Sequence, residues 1–115
     1  MSATQDTGAG SSVAAILAAV SSEMAIAAQA CGELDNALGQ ILAATPPEGQ
    51  ARVMQELHTV DLLAQHITAI TDFTHRIALI APTEDRMTVD DALSAITLGA
   101  VAERLRNQLA QSEMA

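Results

Sequence analysis

The chain has 115 residues, half of them hydrophobic, with a net charge of −9 and a single aromatic residue, Phe73. This length predicts one domain, and an alanine-rich composition with so few aromatic side chains favours packed helices over a β-sandwich. All five basic residues are arginines and residues 1–50 contain none, which argues against a nucleic-acid partner and against binding to an anionic membrane.

Cysteine content and the N-terminal sequence bear on location. The single cysteine, Cys31, cannot form an internal disulfide and is typical of a reducing compartment. The N-terminal residues lack the basic segment of a secretory signal. The apolar run at residues 13–20 is too short to cross a bilayer before Ser21 and Ser22. We therefore expect a cytoplasmic protein with no membrane partner.

The first part of the chain predicts a tail followed by a long helix. Residues 1–10 are small, polar and glycine-containing, and we expect them to be disordered. A helix should follow over about residues 12–44, with Ser11 or Ser12 as its cap. Its apolar positions recur at alternating spacings of three and four, as in a heptad seam: Leu17, Val20, Met24, Ala27, Cys31, Leu34, Leu38 and Ile41.

A second helix is predicted over about residues 48–80, because Thr45-Pro46-Pro47 stops the first helix and Ala81-Pro82 stops the second. One broad face of it is apolar: Val53, Leu57, Val60, Leu63, Ala64, Ile67, Ile70, Thr74 and Ile77. The other side carries a polar stripe: His58, Asp61, Gln65, Thr68, Asp72 and His75. The short connection predicts an antiparallel hairpin, which we expect to complete its core by dimerising into a four-helix bundle.

A third helix is predicted over about residues 88–112. Thr88-Val89-Asp90-Asp91 resembles a capping box, and its two carboxylates suit the positive end of the helix dipole. Strand-like alternation is absent from the sequence. We therefore expect residues 11–115 to form a single all-α domain, a long antiparallel hairpin plus a third helix.

Asp61 and Gln65 are the residues that best suit a chemical role. They form a D-x-x-x-Q pattern, and residues four apart lie one above the other on a helix. Both belong to the polar stripe, so both can reach a docked partner. The alternative interpretation is that they are ordinary solvated residues of a helix surface.

This arrangement resembles the CheZ-type chemotaxis phosphatases, which carry a D-x-x-x-Q motif on one helix of a long hairpin. Asp61 and Gln65 match the two functional positions of that motif, and Leu62 matches the apolar residue that usually follows the Asp. In length the chain is more similar to the small CheT-type proteins than to full-length CheZ. The resemblance covers the first two helices, although the acidic and Gln residues that commonly precede the motif are replaced by Leu57-His58-Thr59-Val60.

The resemblance implies a function and a partner. The protein would bind a phosphorylated CheY-like response regulator and hasten hydrolysis of its phosphoaspartate. Gln65 would orient the attacking water, and Asp61 would pair with a lysine of the regulator. His58, Thr68 and Asp72 would contribute to docking. The regulator would supply the Mg²⁺, so the chain would need no cofactor of its own.

Two other functions remain open from the sequence. A non-catalytic adaptor could use the same bundle to bind a response regulator or the receptor methyltransferase. A histidine phosphotransferase could use His58, although the Lys-Gly that commonly follows such a histidine is absent.

The remaining polar side chains give weaker signals. His58, His66 and His75 lack the spacing of a zinc site. Cys31 lies on the predicted heptad seam and is expected to be a small buried hydrophobe.

Overall fold

The structure is a computed structural model that describes residues 10–114. It is all-α, and the two long helices pack together. In chain order the elements are β1 (Ser11–Ser12), α1 (Val13–Ala43), α2 (Pro47–Ile80), β2 (Arg86–Met87), α3 (Asp90–Ser94) and α4 (Gly99–Met114). The tail predicted to be disordered lies outside the described residues, except for Gly10.

The chain divides into two compact units. Residues 24–71, the second half of α1 and most of α2, form what we call the hairpin unit. Residues 10–23 together with 72–114 form the clasp unit, named after its two short paired strands. Each unit has its own buried residues and is described separately.

In the hairpin unit, α1 and α2 are joined by residues 44–46 alone, so they run antiparallel. Pro47 occupies the first helical position, where its missing N–H removes no hydrogen bond. The Gly49 N–H donates to the Pro46 carbonyl over 2.9 Å, which tightens the turn. The stop predicted from Thr45-Pro46-Pro47 is therefore confirmed.

The seam between the two helices is narrow. Cys31 on α1 and Val60 on α2 are 7% and 8% exposed, and they are the buried hydrophobic residues among residues 24–71, all of which are described. Half-buried apolar neighbours extend the seam along both helices: Ala27, Leu38, Leu42, Val53, Leu57, Ala64 and Ile67. The predicted burial of Cys31 is confirmed.

The heptad prediction is wrong at two positions of α1. Leu34 and Ile41 are 49% and 52% exposed, so they lie beside the seam. On α2, Leu63 and Ile70 of the predicted apolar face are also about half exposed, at 50% and 49%. The physical reason is that one neighbouring helix covers only one arc, whereas both helices carry a wider apolar arc than that.

In the clasp unit, β1 and β2 join the start of α1 to the segment that follows α2. The strands pair antiparallel, with Ser11 opposite Met87 and Ser12 opposite Arg86. Gly10 has φ of 70°, and a Cβ there would overlap the Met87 carbonyl. The Arg86 guanidinium also donates to the Gly10 carbonyl over 3.1 Å. Only glycine fits this approach without strain.

The clasp unit has a small apolar core. Ala19 of α1, Leu93 of α3 and Leu109 of α4 are buried together, with Ile16 and Leu105 packed against them. The core begins directly after the predicted serine cap. The Ala15 N–H donates to the Ser12 Oγ over 3.1 Å, which confirms Ser12 as the capping residue.

The predicted third helix differs most from the structure. It is two helices, α3 and α4, separated by residues 95–98, and α4 begins at a glycine. The N-cap of α3 is Val89, which makes no side-chain capping bond, so the capping box at Thr88 is wrong. Asp90 and Asp91 do lie in the first turn, as predicted.

An ion pair joins α1 and α4 within the clasp unit. The Arg104 Nε donates to the Glu23 Oε2 over 3.0 Å, and Arg104 Nη2 lies 2.5 Å from the Glu23 Oε1. The Arg104 hydrogen bond lowers the pKa of Glu23 below its ordinary value, against a smaller opposing effect of burial. One turn further along α4, Gln108 Nε2 donates to the Ser22 Oγ over 3.2 Å.

We predict that Gly10→Ala weakens the clasp. Alanine would have to adopt a positive φ and displace the Met87 carbonyl, which should cost about 1–3 kcal/mol of unfolding free energy. Urea unfolding measures the loss. Gly39→Ala is the control, because a Cβ there meets nothing within 4 Å, and it should raise stability by about 0.5–1 kcal/mol. If the two variants changed the unfolding free energy equally, the close approach of Gly10 to the Met87 carbonyl would be contradicted.

We predict that Glu23→Gln removes a pH-dependent part of the stability. Because the folded-state pKa of Glu23 is lowered, its stabilisation is present above the unfolded-state pKa and is lost as the pH falls through the lowered value. The wild type should therefore exceed the variant in stability at neutral pH, and the difference should be smaller at about pH 3. Urea unfolding at both pH values measures it.

Arg104→Gln should produce the same pH-dependent loss, and the double variant should add little to either change. A stability difference that stays constant between the two pH values would show that the pair contributes nothing through ionisation.

We predict that Cys31→Ala lowers the unfolding free energy by about 1–2 kcal/mol through lost burial. The native Cys31 thiol should also react slowly with a thiol reagent. The exposed thiol of Ala25→Cys in the Cys31→Ala background gives the fast reference rate. Native Cys31 reacting as fast as that reference would exclude its place in the seam.

Candidate functional site

The predicted pair, Asp61 and Gln65, lies in the middle of α2. No glycine or proline occurs between Gly49 and Pro82, so the helix runs without interruption for 34 residues. Both side chains are exposed. One turn apart on a rigid helix, they present a carboxylate and a carboxamide in a fixed relation to each other.

Helical geometry gives the hairpin unit two chemically different sides. Gly32 and Asp61 each come one residue after the seam residues Cys31 and Val60. In two antiparallel helices, an equal offset from the seam leads to the same side of the pair. That side, the polar flank, consists of Gln29, Gly32 and Asn36 of α1 and His58, Asp61, Gln65 and Thr68 of α2.

The polar flank is open. All of its members are exposed, and a Cβ added at Gly32 would meet nothing within 4 Å. Among residues 10–114, the side chains of His58, Asp61 and Gln65 form no hydrogen bond or ion pair with other residues. Their polar groups are therefore available to a docked molecule.

Thr68 and Asp72 were also predicted to contribute to docking. Thr68 continues the spacing of Asp61 and Gln65 on the polar flank and is exposed. Asp72 is exposed as well, but it belongs to the clasp unit. The structure therefore brings together His58, Asp61, Gln65 and Thr68 from the predicted set.

The chemistry available to this flank is limited to hydrogen bonding and charge. A carboxamide can hold a water by donating and accepting hydrogen bonds, and a carboxylate can pair with a cation. Within residues 10–114, no group of three His, Cys, Asp or Glu side chains is placed to bind a metal ion.

The opposite side of the hairpin unit is apolar along α1 and carries Leu63 of α2 beside Arg52 and Glu56, and the sequence analysis did not identify it. Leu34 and Leu63 each come three residues after the seam residues, so they share this second side. We call it the apolar flank, and its members are all exposed: Ile26, Ala30, Leu34, Ala37 and Ile41 of α1 and Leu63 of α2. In the sequence, the apolar flank is indicated by apolar residues of α1 that recur at spacings of three and four, as the seam residues do.

A buried carboxylate oxygen was also missed. The Oδ1 of Asp35 is buried and has no hydrogen-bond partner among the described residues, and Asp35 follows Cys31 by one turn on α1. Leaving such an acceptor unsatisfied costs stability. Its sequence neighbours Glu33 and Asn36 are exposed. Nothing in the sequence distinguishes Asp35 from these two residues, so its burial was not predicted.

The clasp unit contains several hollows. One of about 240 Å³ is lined by Thr88, Asp90, Arg106 and others, and it mixes one arginine with acidic groups. An apolar one of about 170 Å³ lies over the clasp core. Neither includes a residue of the polar flank.

Helix α1 is more apolar than its first turns suggested. It contains an 18-residue window with a mean hydropathy of 1.6, so its length and composition would allow it to cross a membrane. The expectation that the apolar run is too short is therefore wrong for the helix as a whole. Core helices of soluble proteins pass the same test.

Comparison with known proteins gives a family without an assigned activity. No curated protein matches the chain, and no solved structure matches it either. The family model described as "Domain of unknown function (DUF8776)" matches residues 9–115, which is nearly the whole chain. The chain therefore belongs to the DUF8776 family.

Proposed function

We propose that this protein binds a phosphorylated CheY-like response regulator in chemotaxis signalling and accelerates hydrolysis of its phosphoaspartate. One observation carries the proposal. Gln65 and Asp61 are exposed one turn apart, in mid-helix, with no side-chain partner among the described residues. The resemblance to the CheZ-type motif at these two positions gives the observation its chemical meaning.

Gln65 would act by orientation. A response regulator supplies its own phosphoaspartate, Mg²⁺ and lysine, so what remains is to place a water in line with the phosphorus. A carboxamide inserted beside the phosphoryl group can hydrogen-bond that water and hold it for attack. This role requires an exposed amide on a rigid element, because the group must enter the partner's site.

Asp61 would fix the docking register. It is the single carboxylate of the polar flank, where its neighbours are His58, Gln65 and Thr68. A charge-assisted hydrogen bond from a regulator lysine to Asp61 would place Gln65 one turn away, over the phosphoryl group. The net charge of −9 favours approach of a partner with a local positive feature.

The proposal implies a cytoplasmic location, where response regulators are phosphorylated. The single free thiol, buried in the seam, agrees with a reducing compartment. The hydropathy of α1 then reflects its apolar packing surfaces, since this helix contributes to the seam and to the clasp core.

His58 supports a second candidate, a histidine phosphotransferase, because it is exposed in mid-helix on the same flank as Gln65. A phosphotransferase would accept the phosphoryl group on His58 and retain it. A phosphatase would release it as inorganic phosphate. An adaptor would leave the phosphoaspartate unchanged, and it could bind the receptor methyltransferase instead.

We predict that Gln65→Ala abolishes the acceleration of dephosphorylation while binding to the phosphorylated regulator changes little. The variant removes the amide but keeps an exposed helical position that tolerates alanine. The measurement is the decay of acyl-phosphate-labelled regulator with and without the protein. Asp61→Ala should weaken binding as well as the rate, because it breaks the contact with the regulator's lysine.

Gln55→Ala is the matched control, since Gln55 is an exposed glutamine on α2 outside the polar flank. It should behave as the wild type. His58→Ala should still accelerate dephosphorylation, because in the phosphatase His58 contributes only to docking. Equal acceleration by the wild type and Gln65→Ala would exclude the assigned mechanism. Label appearing on His58 would establish the phosphotransferase, and binding without acceleration would establish the adaptor.

A further inference from the structure

We propose that the apolar hollow of the clasp unit is a binding site for a small uncharged organic molecule with an apolar part of about six carbon atoms. The hollow is lined from three sides, by the start of α1, by α3 with its flanking residues, and by α4. All of the lining residues belong to the clasp unit. The inference therefore depends neither on the polar flank nor on the proposed phosphatase activity.

The chemistry of the lining is the first observation. The described residues that line the hollow are all Ala, Val, Leu or Ile, among them Ile16, Val20, Ile96 and Leu105. A well-ordered buried water makes roughly two to four hydrogen bonds to polar groups, and these side chains offer none. The hollow therefore favours an apolar occupant over water.

Size is the second observation. The hollow has a volume of about 170 Å³. An apolar cavity of about 150 Å³ is enough to bind benzene, so this space suits one ring or a short chain. Two alanines contribute to it, Ala19 and Ala92, at positions where a larger aliphatic side chain would occupy part of the space. Ala19 is buried in the clasp core, whereas Ala92 is exposed, so a ligand can reach the hollow from solvent.

The charges next to the hollow argue for an uncharged ligand. The larger hollow of about 240 Å³ shares Leu93 and Leu109 with the apolar one, so the two border each other. That larger hollow is also lined by Asp90, Glu113 and Arg106. A charged group of either sign that extended from the apolar hollow would meet a like charge there. A neutral molecule avoids this repulsion.

An occupant would contact three helices at once. The clasp core is small, with Ala19, Leu93 and Leu109 as its buried residues, and all three also line the hollow. A ligand that fills the hollow would extend this core and bind only the folded clasp unit. Binding should therefore stabilise the protein in proportion to the ligand concentration above the dissociation constant.

The test compares three probes on the full-length wild type: benzyl alcohol, benzoate and benzylamine. They share one ring and differ in charge at neutral pH. Benzyl alcohol should bind saturably with a Kd on the order of 1 mM. It should shift the NMR methyl signals of Ile16, Val20 and Leu105 in the hollow. The methyl signals of Val60, buried in the seam of the hairpin unit, should stay unchanged. Each charged probe should bind at least about 10-fold more weakly.

A matched pair of variants tests the location. Ala92→Phe should fill the hollow and weaken the binding of benzyl alcohol by at least about 10-fold. Ala100→Phe is the control, because it places the same side chain at an exposed alanine of α4 that does not line the hollow. At about ten times the Kd, benzyl alcohol should raise the Tm of the wild type and of the control by several degrees. The Tm of Ala92→Phe should not rise.

Three results would overturn the inference. The first is wild-type protein whose hollow methyl signals do not respond to benzyl alcohol at about ten times the expected Kd. The second is equal weakening of binding by the two phenylalanine variants. The third is binding of benzoate or benzylamine as tight as that of benzyl alcohol. The methyl signals are measured on the wild type, so they decide the matter even if Ala92→Phe fails to fold.

Discussion

The burial of Cys31 on α1 and Val60 on α2 is the constraint on which the hairpin unit depends. Two helices that meet through a single narrow seam leave most of each circumference uncovered. The sequence of the uncovered part then decides what each side can do. The residues that follow Cys31 and Val60 by one position are a glycine and an aspartate. The residues that follow them by three positions are both leucines. A polar flank and an apolar flank therefore come from the same helical repeat.

The elements that follow from local chemistry were predictable. The prolines at 46 and 47 set the turn, Ser12 caps α1, and the regular spacing around Cys31 marks the seam. Leu34 and Ile41 were misplaced because periodicity shows that a residue belongs to an apolar arc, but not which neighbour covers that arc. The division of the third helix at residues 95–98 depends on packing around Leu93 and on the late start of α4 at Gly99, which propensity alone does not specify.

The candidate site was predictable to a similar degree. The polar stripe of α2 placed Asp61 and Gln65 on an exposed side, and they are exposed. Their role is harder to derive from one chain, because a water-orienting amide has no ionisable group and needs no cavity of its own. In the proposed function, the reacting groups would belong to the partner. The family to which the chain belongs has no assigned activity, so the D-x-x-x-Q pattern carries the functional argument alone.

The strand pair at Gly10 has a consequence for the order in which the chain folds. The three-residue turn closes the hairpin at little entropic cost, whereas pairing Ser12 with Arg86 closes a far longer loop. The helical turns around Cys31 and Val60 should therefore form early, and the strand pair last. Backbone amides of the strand pair should then exchange with solvent by local opening, well before those of the α1–α2 seam.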